Sequence, residues 1–248
     1  MACVSPYGDP DKHAAVQTMF GRIAGRYDLM NRLMTGGLDG LWRRRTAHEA
    51  ATPDGGLALD VGTGTGDLAF ALARSAAGAR VVGIDYTAPM LAQAPGKAAR
   101  AHLADRSAWA RADGHRLPFA DGTFDSVSSA FVLRNFSDLD GAYREMARVV
   151  RPGGRVVALE ICPPTSAFWR IAFQLYFNRV IPLLGRVISG DGGAYRYLPA
   201  SAAAFLTPSG VAERMRLGGL TALPPRRLMG GALAIHIGVR EHRPEPAP

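Results

Sequence analysis

The sequence predicts an α/β fold, with a mostly parallel sheet that carries helices on both faces. Short apolar runs alternate with helical segments along most of the chain. A glycine-rich loop joins the first of these runs to a helix. Hydrophobic residues make up 48% of the 248 residues, which is enough for one sizeable core. We therefore expect a single domain over residues 1–248.

The chain begins with a helical pattern rather than with a strand. Over residues 11–50 apolar side chains recur at helical spacing, and Gly36 with Gly37 interrupts the run. We predict that this segment forms an N-terminal helical cap.

Seven apolar runs of strand length follow, which predicts a seven-stranded sheet. The predicted strands are Leu57–Val61, Val81–Ile84, Ala108–Ala110, Val127–Ser129, Arg155–Glu160, Leu220–Leu228 and Ala232–Val239. The helices predicted among them are Asp67–Ala76, Pro89–Leu103, Leu139–Val149 and Val211–Leu217. A long aromatic and apolar stretch at Ala167–Ile188 departs from this alternation, and we predict that residues 163–200 form an inserted substrate lid.

Composition narrows the class of protein. Cys3 and Cys162 are the only cysteines, too few for a disulfide framework or a zinc site, so we expect a reducing compartment. The N-terminus lacks the apolar core of a secretory signal, and no apolar stretch reaches the roughly 18 residues of a membrane span. We expect a cytoplasmic protein, soluble or peripheral on the inner face of the membrane. The net charge of +8 comes largely from scattered arginines without a nucleic-acid-binding motif. This favours an anionic membrane surface over nucleic acid, and the alternative is an arginine-rich surface that has no binding role.

The glycine-rich loop is the first candidate cofactor site. It runs from Asp60 through Gly62, Gly64 and Gly66 to Asp67, between an apolar strand and a helix. Glycines at this spacing let a ligand approach the backbone closely. A carboxylate at Asp60 would repel a pyrophosphate but suits the cationic groups of S-adenosylmethionine. The loop therefore favours S-adenosylmethionine over a nicotinamide dinucleotide.

Acidic residues also follow the next two predicted strands. Asp85, with Tyr86 beside it, stands where an acid accepts hydrogen bonds from both ribose hydroxyls of a cofactor. Asp113 and Gly114 stand where a carboxylate would accept a hydrogen bond from the adenine amino group. The alternative interpretation is that each acid caps a helix or solubilises a loop.

Several longer motifs give the chain a resemblance to a known family. It resembles the ubiquinone/menaquinone biosynthesis C-methyltransferase family nearly end to end. The motifs that carry the resemblance are Phe20–Asn31, Trp42–Arg43, Leu133–Asn135, Arg151–Arg155 and Tyr195–Leu198.

The resemblance implies a Rossmann-like class I methyltransferase that uses S-adenosylmethionine. It places Thr65, Asp85, Asp113 and Gly114 at cofactor contacts. It also implies methylation of a ring carbon of a prenylated quinol, most simply the conversion of demethylmenaquinol to menaquinol.

Three positions depart from the family pattern, which usually has serine, glycine and tyrosine where this chain has Ala130, Val132 and Val239. They favour an alternative, a tailoring methyltransferase of a specialised aromatic or polyketide metabolite. A non-catalytic nucleotide-binding or assembly protein is a second alternative, and a nicotinamide dehydrogenase is a third.

Carbon methylation needs alignment and an electron-rich ring, so we expect no metal but do expect a base or a hydrogen-bond network. His236 is the first candidate for the base, although a histidine in an apolar strand is more often packed core. Arg134, Asn135, Tyr195 and Tyr197 are candidate substrate contacts, and Arg134 could instead form a structural ion pair. The expected partners are the quinol, a membrane surface and a second copy of the chain.

Overall fold

The computed structural model of the protein describes residues 10–164, 166–180 and 200–242. Its centre is a seven-stranded sheet in the order β3-β2-β1-β4-β5-β7-β6. The strands are β1 (Leu57–Val61), β2 (Arg80–Asp85), β3 (Ser107–Arg111), β4 (Phe124–Ala130), β5 (Val150–Ile161), β6 (Thr221–Leu228) and β7 (Leu233–Val239).

The first five strands are parallel to one another, whereas β7 runs antiparallel to both β5 and β6. The strand order reverses beside β1, because β2 lies on one side of it and β4 on the other. In open parallel sheets, ligands bind at the carboxyl ends of the strands at such a reversal. The sheet therefore places the glycine loop, which follows β1, at the expected ligand-binding edge.

Helices cover both faces of the sheet, as the alternating pattern predicts. They are α1 (Pro10–Met34), α2 (Asp39–Ala50), α3 (Asp67–Ser75), α4 (Ala88–Leu91), α5 (Ala94–Arg100), α6 (Leu139–Val149), α7 (Ala167–Leu175) and α8 (Pro208–Leu217). The helix predicted over Pro89–Leu103 is instead two short helices, because Pro95 in the first turn of α5 cannot continue the backbone hydrogen bonds of α4.

Each face of the sheet has its own hydrophobic core. Tyr143 and Met146 of α6 pack on one face, together with α8, and Trp42 of α2 and Leu72 of α3 pack on the other. A third, smaller cluster joins the inner face of α1 to the helical turn Tyr176–Val180 that continues α7. The N-terminal helices thus lie over the ligand-binding edge of the sheet.

Part of the predicted lid, including Tyr195, Tyr197 and the Tyr195–Leu198 motif, lies outside the described residues. Among the helices that the structure describes, none has the length and apolar character needed to cross a membrane.

Candidate active site

The glycine loop between β1 and α3 is held by the backbone of the neighbouring strand. The Thr63 amide donates to the Ile84 carbonyl at 2.9 Å, and the Gly66 amide donates to the Thr63 carbonyl at the same distance. Gly62 has φ +69°, a left-handed conformation that favours glycine. The loop therefore presents backbone, rather than side chains, towards the space above the sheet edge.

Asp85, at the end of β2, connects this strand to the glycine loop. Its Oδ2 accepts a hydrogen bond from the Gly64 amide at 2.8 Å, and its Oδ1 accepts one from the Thr87 amide at 2.7 Å. Burial raises the pKa of the carboxyl, and the backbone donors oppose that shift. The two amides orient the carboxylate at the edge of the loop.

Asp113, which follows β3, is oriented in a similar way. Its Oδ1 accepts the His115 amide at 2.9 Å and lies 2.8 Å from His115 Nδ1. The next residue, Gly114, packs so closely on Phe136 that a Cβ placed on it would lie 2.7 Å from the ring.

These residues surround one small cavity of about 100 Å³ above the glycine loop. Six of the nine residues predicted to bind the cofactor line it: Gly62, Gly64, Asp85, Tyr86, Asp113 and Gly114. Val132, Asn135 and Phe136 complete the side that faces β4. The cavity thus brings together the glycine loop and the acids that follow the second and third strands.

Asp60 is placed differently from the prediction, since it does not line this cavity. It lies beneath the loop, where its Oδ2 accepts a hydrogen bond from Thr63 Oγ1 at 2.7 Å. Its buried Oδ1 has no hydrogen-bond partner in the part of the chain that the structure describes. Desolvation raises the pKa of this carboxyl to about 7. Asp60 therefore supports the loop from beneath through its hydrogen bond with Thr63, and it does not face the cavity.

Thr65 also turns away from the small cavity, and it joins a polar cluster that the sequence did not predict. Its hydroxyl donates to Asp28 Oδ1 at 2.6 Å. Lys97 Nζ donates to Thr65 Oγ1 at 2.9 Å and forms 2.5 Å ion pairs with Asp28 and Asp67. This cluster connects α1, the glycine loop, α3 and α5. Gly66, the remaining predicted contact, lies against Phe70 at the start of α3.

A larger cavity of about 640 Å³ adjoins the small one. Phe20, Tyr27 and Phe131 line both cavities and so mark where they meet. The other walls of the larger cavity are mostly apolar and come from α1, α2, α7, the turn after α7 and the start of β7. Such a cavity suits a large apolar molecule with a few polar groups.

Two buried ion pairs lie at the walls of this otherwise apolar cavity. Arg134 Nη1 pairs with Glu160 Oε1, and Arg43 Nη1 pairs with Asp39 Oδ2. Arg134, Arg43 and Asp39 all line the cavity, while Asn135 lines the small cavity next to it. Buried pairs of this kind carry a desolvation cost, so their position beside a cavity points to function.

The comparison with known proteins decides the family. The ubiE/COQ5 methyltransferase family matches residues 9–240. The chain belongs to this family. As a member of this family, the chain is a methyltransferase that uses S-adenosylmethionine, as the sequence predicted.

Curated relatives align with most of this chain. A demethylmenaquinone methyltransferase of Thermus thermophilus is 46% identical over 90% of this chain and 100% of its own length. One of Roseiflexus castenholzii is 42% identical over 93% of this chain and 96% of its own. A ubiquinone/menaquinone biosynthesis C-methyltransferase of Desulfotalea psychrophila is 40% identical over 92% of both.

Solved structures confirm the predicted fold. A SAM-dependent methyltransferase from Aquifex aeolicus superposes with a TM-score of 0.60 at 16% identity, covering 86% of this chain and 97% of that one. At this sequence identity the match shows the fold alone, and that fold is the predicted class I methyltransferase fold.

His236, the first candidate for the base of this methyltransferase, lies outside both cavities. It is buried in β7 opposite Ala158 of β5, and its Nε2 is 3.6 Å from Cys162 Sγ. Desolvation lowers the pKa of the imidazole to about 4. Because side chains alternate along a strand, His236 points away from the sheet face on which its neighbours Ile235 and Ile237 pack with α2 and α3. His236 thus occupies a packed position in the core, which was the alternative interpretation of the sequence.

Sequence reasoning did not select Asp39, Arg43 and Lys97 as site residues. Arg43 was visible only as part of the Trp42–Arg43 motif, and the i,i+4 spacing of Asp39 and Arg43 was the one local signal that they pair. Lys97 contacts residues 30 to 69 positions away in the chain, and no local pattern indicates such contacts.

Proposed function

We propose that the protein transfers a methyl group from S-adenosylmethionine to a ring carbon of demethylmenaquinol, which yields menaquinol. The observation that carries the proposal is the apolar cavity of about 640 Å³ that meets the small cavity above the glycine loop at Phe20, Tyr27 and Phe131. A naphthoquinol with a prenyl tail needs such an apolar space, open at one end to the methyl donor. The names of the curated relatives support the same acceptor.

The residues around the small cavity fit the cofactor. Gly62 leaves the backbone accessible, and Asp85 and Asp113 are held in place by backbone amides, each with capacity for further hydrogen bonds. We assign cofactor binding to these residues together with Gly64, Tyr86 and Gly114. When bound, S-adenosylmethionine supplies a methyl group that its sulfonium charge already activates.

The remaining task of the protein is to align and activate the acceptor. Arg134 lies at the wall of the large cavity, and its positive charge would stabilise the oxygen of a ring hydroxyl as that hydroxyl gives up its proton. Glu160 holds the guanidinium, and its carboxylate is itself fixed by the Ile161 amide at 2.9 Å. Asn135 follows at the small cavity and would orient the same end of the ring. Tyr195 and Tyr197 stay predicted substrate contacts, and His236 is not part of the proposed set.

A direct assay tests the proposed reaction. Labelled S-adenosylmethionine is incubated with demethylmenaquinone in reduced and in oxidised form, and the products are separated. We expect a labelled menaquinone from the reduced acceptor only, because the oxidised ring is electron-poor. If a folded protein that binds S-adenosylmethionine labels neither form, the acceptor is wrong and the tailoring alternative takes its place.

We also propose that α7 contacts a membrane surface, which would give access to a prenylated acceptor. Trp169 and Phe173 of α7 face the large cavity, whereas Phe168, Ile171 and Leu175 on another face are 72%, 67% and 60% exposed. A helix that is apolar on both its inner and outer faces needs an apolar neighbour on the outside.

Exposed basic residues also support contact between the outer face of α7 and a membrane surface. Arg170 and Arg179 are exposed on the α7 segment, and Arg32 is exposed near the end of α1, beside the half-exposed Leu29 and Leu33. Basic residues around an apolar face are typical of segments that bind an anionic lipid surface. A second copy of the chain is the competing occupant of this face.

A further inference from the structure

A buried ion pair on α2 has no role in the alignment and activation of the acceptor by Arg134 and Asn135. Asp39 stands in the first turn of α2, and Arg43 lies one turn later. Asp39 Oδ2 pairs with Arg43 Nη1, and Asp39 Oδ1 lies 3.2 Å from Thr35 Oγ1, a hydroxyl that also lies 2.8 Å from the Asn31 carbonyl. Asp39, Arg43 and Thr35 all line the large cavity. The carboxylate is thus held in place at the wall of the space proposed for the acceptor.

A role in helix stability alone does not account for this arrangement. An acidic residue in the first turn of a helix stabilises it equally well when it is exposed, without the cost of burial. Asp39 and Arg43 are both buried, with side chains only 12% and 8% exposed. A carboxylate has room for about four hydrogen bonds, so its contacts with Thr35 and Arg43 leave capacity for a ligand.

The position of Arg43 connects the pair to the cofactor side of the site. Its guanidinium lies 5.6 Å from the centre of the Phe131 ring, and Phe131 lines both cavities. The charge of Arg43 also acts on Asp60 beneath the glycine loop. The pair therefore lies near the junction at which the ring of an acceptor would meet the methyl donor.

We propose that Asp39, held by Arg43, accepts the hydrogen bond and then the proton of a ring hydroxyl of the acceptor. This inference rests on the proposed function, since it requires an acceptor with a phenolic hydroxyl. As the hydroxyl proton moves to Asp39, electron density from the oxygen moves into the ring. A ring carbon forms the new carbon–carbon bond to the methyl group, and the electrons of the broken carbon–sulfur bond stay on sulfur. The methylated carbon then loses its proton to water, which restores the aromatic ring, and Asp39 returns its proton to the oxygen, so one proton is released to solvent in total.

The charged and titratable groups around the cavity are consistent with proton transfer to Asp39 and charge stabilisation by Arg134. Arg43 on the same helix keeps Asp39 in place, and Arg134, paired with Glu160, supplies a positive charge from another wall. The phenols of Tyr27 and Tyr176 also line the cavity, and the Tyr176 hydroxyl donates to the Met34 carbonyl. Asp39 and Arg134 would thus serve proton acceptance and charge stabilisation respectively.

A binding experiment tests the contact without any methyl transfer. Trp42 and Trp169 line the cavity, so bound aromatic molecules should quench the intrinsic fluorescence. Anaerobic titrations compare naphthalene-1,4-diol with its dimethyl ether, which lacks the hydroxyl protons. We expect the protein to bind the diol roughly tenfold or more tightly than the ether, and Asp39→Asn to lose most of this preference. Glu145→Gln, which removes the acid of the Glu145–Arg148 pair on α6, is the matched control and should keep the preference.

Kinetics separate a role in proton transfer from a role in folding. With demethylmenaquinol, Asp39→Asn should lower kcat by about 10²-fold while the calorimetric Kd for S-adenosylmethionine stays unchanged. The loss should shrink as pH rises, because the hydroxyl then ionises without help, and Asp39→Glu should recover part of the activity. A purely structural defect would show none of this pH dependence.

The outcomes distinguish this inference from the proposed function. If Asp39→Asn keeps the preference for the diol, or if the unmodified protein has none, the inference is wrong. If the preference depends on Asp39 but demethylmenaquinol is not methylated, the hydroxyl contact stands and the proposed acceptor fails.

Discussion

Gly62 and Val132 pack against each other in the wall of the small cavity, so closely that a Cβ placed on Gly62 would lie 2.6 Å from Val132 Cγ2. Val132 therefore belongs to the wall of the small cavity above the glycine loop and does not line the larger one. The departure from the family pattern at this position, which had favoured a different acceptor, therefore lies at the cavity proposed for the cofactor. Val132 no longer supports the tailoring alternative.

The Gly62 and Val132 contact gives the first prediction. Gly62→Ala should abolish measurable binding of S-adenosylmethionine by calorimetry, because the added methyl group meets Val132 and the positive φ is unfavourable for alanine. Gly96→Ala in α5 is the control, since its Cβ would meet only the end of Arg100 at 3.6 Å. Normal affinity in Gly62→Ala would contradict the assignment of this cavity.

Val132→Gly provides a second, opposite test of the same wall. Loss of the valine side chain removes apolar contact from the small cavity, so we expect the Kd for S-adenosylmethionine to rise about tenfold. The KM for the acceptor should not change. An altered acceptor KM with an unchanged cofactor Kd would instead place Val132 in acceptor recognition.

Lys97 should couple the N-terminal helix to the glycine loop. Lys97→Met removes the ion pairs to Asp28 and Asp67 and leaves those two acids without their shared cation. We expect the free energy of unfolding to fall by about 1 to 2 kcal/mol, since the cluster is partly exposed, and cofactor affinity to weaken. Arg100→Met on the exposed side of the same helix is the matched control. Equal effects of the two substitutions would show that only helix charge matters.

Two buried groups should make opposite contributions to the pH dependence of stability. Burial lowers the pKa of His236 to about 4, so its contribution is lost as pH falls from about 6.5 to about 4, where the unfolded chain binds the proton first. Burial raises the pKa of Asp60 to about 7, so stability falls as pH rises from about 4 to 7, where the folded chain retains a proton that the unfolded chain has released. The effect is on the order of 3 kcal/mol for His236 and on the order of 4 kcal/mol for Asp60.

Single substitutions separate these two effects. Relative to the unmodified protein, His236→Gln should lose less stability on acidification, and Asp60→Asn should gain stability as pH rises towards 7. Urea unfolding at several pH values, without cofactor, measures both. Parallel pH profiles for all three proteins would show that neither group is desolvated as the structure places it.

The outer face of α7 gives the prediction about membranes. Phe168→Glu combined with Ile171→Glu should abolish flotation with vesicles that contain anionic phospholipid, and activity on an acceptor without a prenyl tail should remain. Leu217→Glu, at a residue of α8 that is 54% exposed, is the matched control and should still float. If the unmodified protein does not bind vesicles but sediments as a dimer that the double substitution separates, a second copy is the occupant.

The sequence by itself determined the fold and predicted most of the residues that line the small cavity above the glycine loop. Alternating apolar runs predicted the sheet, and the acids Asp85 and Asp113 could be assigned because the carboxyl ends of parallel strands meet at one edge. Each of those assignments needs only the position of a residue relative to its own strand.

Only the tertiary structure decided which side chains reach the two cavities. It placed Asp60 and Thr65 outside the small cavity, left His236 in the core, and brought Asp39 and Arg43 to the wall of the larger cavity. These outcomes depend on how α1, α2 and α7 pack over the edge of the sheet. Contacts between elements distant in the chain follow from packing in three dimensions, and a local pattern in the sequence does not contain them.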